Sequence, residues 1–423
     1  MVISNITVPL LGLIDAAVIG HLEHAWYLGG VALGSTMISV TFWLLGFLRM
    51  STTGLTAQAA GAGDKRALAL TFVQGIATAM LFATLFLILH GWVAEWIFAV
   101  TDASDAIKHY GAQYFTIRAW SAPAALVNYV LLGWLLGSQD ARSPMWMVII
   151  TNLVNIALDV LFVLGLGWKV EGAALASVIA DYSGMAFGLW CVTRRWRRQG
   201  LPSPLVLLSE VTSNLGRFVR LNRDIFLRSL CLQVTLSFMT FQAASYGDNI
   251  VAANAVLMSF VMLISYGMDG FAYAMEAMVG KAVGARDRAN LKQTIGVTFF
   301  WGLVICSLLS LVFALFGAEL IALITDIEAV QQQAAHYLPW LVAMPLVSLW
   351  AYLFDGLFIG ATKGREMRNG MFLATLSFFA VFAALSHLEN HALWLSMMVF
   401  MAVRGLGLAG LFVYQWRRKV FLV

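Results

Sequence analysis

Charge is what this sequence has least of. Asp, Glu, Lys and Arg together supply 11% of the 423 residues, where an ordinary soluble domain carries about 25%. Hydrophobic residues make up 61%. That is more apolar material than a water-soluble core can hide, because exposed surface still grows with mass. Cysteine is scarce as well: Cys191, Cys231 and Cys306 are scattered through apolar stretches, which excludes a disulfide framework and a cysteine-based metal site. No HExxH or GxSxG string occurs, and "VGKAVG" lacks the spacing and the Ser/Thr of a phosphate-binding loop, so neither a hydrolase centre nor an ATP-driven pump is expected. A net charge of +4 does not suggest nucleic acid as a partner. Residues 1–20 lack a basic leader and an evident cleavage site, so they read as a membrane span and not as a removable signal peptide.

What the chain does have is a succession of apolar runs. They lie near 1–20, 27–59, 67–96, 109–138, 144–166 and 171–193, and again near 224–246, 250–280, 290–316, 336–362, 369–386 and 392–416. Each is long enough for a bilayer, which takes about 20 helical residues. The expected fold is an all-α polytopic membrane protein of twelve transmembrane helices. Basic residues fall in alternate connections, such as Lys65, Arg66, Arg142, Lys281, Arg286 and Lys363, while the opposite connections carry Glu95, Glu171, Asp248 and Glu328. The positive-inside rule then places both termini in the cytoplasm. The seven histidines all fall on the opposite side or in helix ends facing it. His21/His24 and His387/His391 have spacings that suit a metal but no cysteine or carboxylate partners at short range, so no metal is expected.

The chain repeats itself. A shift of 223 residues aligns Gly61 with Gly284, Asp64 with Asp287, Tyr114 with Tyr337, Gly133 with Gly356, Gly137 with Gly360 and Arg142 with Arg365. Six spans per repeat is an even number, so the halves cross the membrane in the same sense. The expected domains are a lobe over 1–200, a linker over 201–223 and a second lobe over 224–423, two pseudo-symmetric six-helix bundles. The GxxxG spacings Gly133/Gly137 and Gly356/Gly360 permit close helix approach.

Ionisable groups inside apolar spans are costly and functional by default. Asp15, Asn155, Asp159 and Ser177 fall at one level of the first lobe, at about 1.5 Å of rise per residue. The same repeat shift puts Phe238 at the Asp15 position and Phe378 at the Asn155 position. A polar cluster confined to one half of a duplicated scaffold points to a task beyond folding. Carboxylates held together in low dielectric raise each other's pKa, so one can carry a proton near neutral pH; the same oxygens suit Na⁺. Asp181 joins this set of coupling-ion or substrate residues. Asp269, Glu276 and Asp355 form a second set, an inner gate or a structural network, with Arg404 as a neutralising partner.

The strings "SNITVPLLGLIDAAVIGHL", "FLRMSTTGLTAQAAGAGD", "NIALDVLFVLGLGWKVEGAALASVIAD", "AANAVLM" and "DGFAYAMEAMVGKAVGARD" together resemble the multidrug and toxic compound extrusion (MATE) family, in its DinF-like branch, over nearly the whole chain. The resemblance implies two V-arranged bundles around a cavity. It implies a monomeric multi-pass protein of the bacterial inner membrane with no cofactor, exporting small cationic or amphipathic xenobiotics in exchange for H⁺, or alternatively Na⁺. It also implies that Asp15, Asn155, Asp159 and Ser177 form the coupling site, with serine where threonine is frequent. Relatives carry further residues before the position of Met1, including a proline in the first span, where this chain has only Pro9; a start upstream of Met1 is one expectation. A lipid-linked precursor flippase is the alternative function.

Overall fold

The computed structural model describes residues 25–101, 103–212, 215–419 and 421–422. The first predicted span, with Asp15, lies outside them. Every regular element among the described residues is helical. Ten helices are long and apolar enough to cross a membrane, and a bent pair makes an eleventh. The chain separates into two compact units, one ending at Phe218 and the other beginning at Val219.

In the first unit, α1 (Ala25–Leu44) and α2 (Phe47–Gly61) are two parts of one span. They are followed by α3 (Lys65–Val100), α4 (Asp105–Ala119) and α5 (Ala122–Gly137). The span expected over 109–138 is broken: α4 and α5 meet at 53°. Pro123 sits in the first turn of α5, where its missing N–H costs nothing but it cannot extend a preceding helix. Next come α6 (Arg142–Asp159), continued by a π-helical turn at Val160–Gly165, and α7 (Lys169–Gln199). α7 outlasts the run expected to end near 193 and makes Arg194, Arg195, Arg197 and Arg198 helical. The short helix α8 (Pro204–Leu208) is docked, with Leu207 buried against Ala69 and Val73 of α3. Arg66 pairs with Glu210, and Gln74 Nε2 donates to the Val211 carbonyl at 2.9 Å. Most of the expected linker therefore packs on the first unit.

The second unit runs through α9 (Leu215–Ala244), which begins just before the boundary, then α10 (Asp248–Gly284), α11 (Arg288–Ile324), α12 (Glu328–Gly360), α13 (Gly364–Leu385) and α14 (Asn390–Arg417). The repeat is visible in its local geometry. Asp64 and Asp287 cap α3 and α11, each accepting from the backbone N–H three residues on at 2.9 Å. Such caps are worth about 1 kcal/mol. The residue before each cap has positive φ, Gly63 at 69° and Arg286 at 54°. The second unit thus tolerates a strained arginine where the first has glycine.

The GxxxG glycines are contact points in both units. A Cβ on Gly133 would lie 2.5 Å from the Arg49 carbonyl, and one on Gly356 would lie 2.7 Å from the Ala272 carbonyl. On Gly360 it would meet the Glu276 carbonyl at 2.5 Å and the Gly280 nitrogen at 2.9 Å. Arg49 and Ala272, like Thr53 and Glu276, are repeat equivalents, so one helix pair is built twice. These neighbours are backbone and cannot swing aside. Gly360→Ala is expected to cost about 1–3 kcal/mol, the usual range for overpacking, seen as a lower melting temperature in detergent. An unchanged melting curve would show that α10 and α12 are free to part.

Candidate functional site: a polar cluster in the first lobe

Asn155 and Asp159 lie one turn apart near the end of α6, and Ser177 lies in α7. All three are buried, at 3%, 1% and 6% exposure. Asn155 Nδ2 donates to Ser177 Oγ at 2.8 Å, while Asn155 Oδ1 has no hydrogen-bond partner among the described residues. A buried amide oxygen left in that state costs about 1–3 kcal/mol, so the site is polar beyond what its own hydrogen bonds consume. The π turn begins at the residue after Asp159. Wide turns of this kind recur at functional sites, where they re-aim a side chain.

The second unit shows what the scaffold does at these positions when no polar task is set. The repeat equivalents of Asp15, Asn155, Asp159 and Ser177 are Phe238, Phe378, Phe382 and Phe400. They form one aromatic cluster. Phe238 meets Phe378 at a centroid distance of 6.0 Å and Phe382 at 5.2 Å, and Phe378 meets Phe400 at 6.4 Å, all edge-to-face. The Phe378–Phe400 contact repeats the Asn155–Ser177 contact across the same pair of helices. Packing alone is therefore satisfied by phenylalanine, and the polar set is a substitution made in one lobe.

Asp181 lies one turn beyond Ser177 on α7 and has a basic partner. Arg118 Nη1 donates to its Oδ2 at 2.6 Å and also to Ser121 Oγ, tying α7 to the bend between α4 and α5. Asn128 Nδ2 donates to the Asp181 carbonyl at 2.9 Å. The carboxylate already has its counter-ion and fixes a kinked span.

In the second unit Asp355 of α12 is buried between two arginines. Arg404 of α14 donates from Nε at 3.1 Å and also from Nη2, and Arg228 of α9 donates from Nη2. Of the three acids of the second set, Asp355 is thus the one that Arg404 pairs with. Arg228 was not anticipated, although it falls inside the run expected over 224–246; an arginine within that apolar run is the signal that could have found it. Asp269, half-buried in α10, acts on both arginines through space. Glu276 is 1% exposed, on the stretch of α10 that Gly360 approaches. A second buried network also went unforeseen: Asn254 Nδ2 donates to Asn390 Oδ1 at 2.6 Å, and Trp394 Nε1 donates to Asn254 Oδ1 at 2.9 Å. Among the histidines, His391 faces His336 (Nε2–Nε2 3.0 Å) and Trp340. No group of three metal-ligating side chains occurs among the described residues.

A duplicated bundle of membrane-crossing helices, with buried polar side chains from α6 and α7 in one half, defines a multi-pass membrane transporter. The chain belongs to the MatE family, whose model matches residues 1–161 and 225–385, one segment in each half. It is 46% identical over 417 residues to the DNA damage-inducible protein F of Escherichia coli (strain K12), covering 99% of this chain and 91% of that protein. It is 23% identical over 350 residues to the probable multidrug resistance protein YoeA of Bacillus subtilis (strain 168), covering 76% and 72%. Among solved structures, a mutant of the Vibrio cholerae MATE transporter VcmN superposes with a TM-score of 0.87 at 19% identity, over all of this chain and 96% of that one. A MOP superfamily transporter from Pyrococcus furiosus gives 0.85 at 20%, over 99% and 94%. Members of this family are transporters, and an enzymatic role is set aside.

Proposed function

We propose that the chain is a secondary antiporter of the inner membrane that exports small amphipathic or cationic compounds in exchange for H⁺. The observation that carries this is the buried Asn155–Asp159–Ser177 set, in positions where the other lobe has only phenylalanine. In this reading Asp15, the repeat equivalent of Phe238, completes the site. Protonation neutralises carboxylate charge at this site, and the neutral site binds a cationic substrate less well. A proton can drive the cycle only through different affinities for the inward-open and outward-open states. The protein works as a monomer with both termini in the cytoplasm, on the alternation of basic and acidic connections. Asp181, with its arginine partner, supports the fold around the site, while Asp269, Glu276 and Asp355 serve the inner half of the second lobe.

The test is transport of a cationic dye in proteoliposomes under separately imposed pH and Na⁺ gradients. A pH gradient alone is expected to drive accumulation and a Na⁺ gradient alone to leave it unchanged. The reverse result reassigns the coupling ion to Na⁺, and indifference to both removes the antiport reading. Scrambling of a lipid-linked sugar in the same vesicles, without dye transport, would favour the flippase alternative.

A further inference from the structure

The end of α7 carries more positive charge than the fold uses. Cys191, Arg194, Arg195, Arg198 and Gln199 recur at helical spacing on one face, and with Asp140 and Trp190 they line a cavity of about 360 Å³. Asp140 is already engaged. Its Oδ1 accepts from the backbone N–H groups of Arg142 and Ser143 at 3.0 Å each, and its Oδ2 from Ser143 Oγ at 2.7 Å. Its contact with Arg195 Nη1 is a long 3.5 Å. Arg195 also donates to the Ser138 carbonyl, and its buried Nε has no hydrogen-bond partner among the described residues. Arg194 stacks over the Trp190 ring at 5.6 Å, and among the described residues neither Arg194 nor Arg198 meets a carboxylate. Three guanidiniums thus face one committed carboxylate around an open volume.

The location selects the ligand. Trp190 is 56% exposed beside exposed Leu189, on a membrane-crossing helix whose next turn is basic. Tryptophan on such a helix belongs at the membrane interface, and the arginines then stand at headgroup level. Basic pockets between helices at that depth select anionic headgroups, and guanidinium forks match the two free oxygens of a phosphodiester. We propose that this cavity is a binding site for the phosphodiester headgroup of an anionic bilayer phospholipid. Arg194 and Arg198 clasp the phosphate, Arg195 closes the inner wall, and the acyl chains run along the apolar face beyond Trp190. The site lies within the first unit and does not depend on the transport cycle or on the coupling ion.

Native mass spectrometry of the full chain in detergent, titrated with phosphatidylglycerol or with phosphatidylcholine of the same acyl chains, reads the site directly. The wild type is expected to retain phosphatidylglycerol selectively. Arg194→Gln/Arg198→Gln should weaken that retention about 30-fold, about fivefold per arginine, with phosphatidylcholine unchanged. Arg197→Gln removes a charge from the same helix end outside the cavity, and is expected to leave retention as it was. Equal retention by the double variant overturns the site. Equal loss in Arg197→Gln also overturns it, by reducing the effect to net charge. Displacement of the lipid by millimolar inorganic phosphate, with phosphate alone raising the melting temperature of the wild type but not of the double variant, would assign the cavity to a soluble anion and overturn the lipid.

Discussion

Export driven by a pH gradient is expected to fall to the level of empty liposomes in Asp159→Asn, with yield and melting temperature close to wild type. Asparagine keeps the shape of the side chain and its place beside the π turn, but it cannot exchange a proton. The size of the effect follows from what coupling requires. To turn a 1:99 mixture of two conformations into 99:1, a ligand must prefer one state by about 10⁴-fold. Few single events at a buried site reach that size, and charging or neutralising a carboxylate in low dielectric is one of them. A second readout separates coupling from scaffolding. Dye affinity in the wild type should fall as pH is lowered through the titration of the site, because a neutral site attracts a cation less. In Asp159→Asn the affinity should be low and its dependence on pH much reduced. A scaffolding role would lower affinity at every pH and leave its slope intact. Normal pH-driven export by this variant would sink the coupling site, whatever its fold.

Much of this arrangement was legible before any coordinates. The repeat shift that pairs Gly61 with Gly284 also pairs the ends of α2 and α10, the caps Asp64 and Asp287, and the glycines at the ends of α5 and α12. These features are local and leave marks at fixed positions, so two copies in one chain reveal them. The Asn155–Ser177 contact was within reach because both residues are polar in apolar surroundings and lie at comparable depth. What could not be read is which face of a helix points where. Helices such as α3 and α11 are apolar all round, and lipid and protein core make nearly the same demand on them. The kink between α4 and α5 was missed because its flanks are apolar and Pro123 was passed over inside a long run. Arg228 was passed over inside the run expected over 224–246: it lies within five residues of that run's start, whereas α9 begins earlier, at Leu215.

Arg228 leads to the largest expected change in stability. Asp355→Asn leaves two buried guanidiniums facing an amide whose nitrogen cannot accept from them. Removing one partner of a buried ion pair costs about 3–5 kcal/mol, a fall in melting temperature on the order of 10 °C for a unit of this size. Arg228→Met should behave quite differently. It leaves Arg404 and Asp355 as a one-to-one pair and removes a guanidinium whose Nε has no hydrogen-bond partner among the described residues. Its cost is expected to stay within about 1 kcal/mol. Melting of the two variants in detergent decides the matter, and equal losses would refute the shared-carboxylate account. The repeat gives the pair a wider meaning. Arg404 occupies the position equivalent to Asp181, and each crosses to a partner of opposite sign, Asp355 in one lobe and Arg118 in the other. Each pair joins two helices of its own unit through a charge and its counter-ion, so both are read as cross-links, and the coupling chemistry proposed for the first lobe is assigned to Asp159.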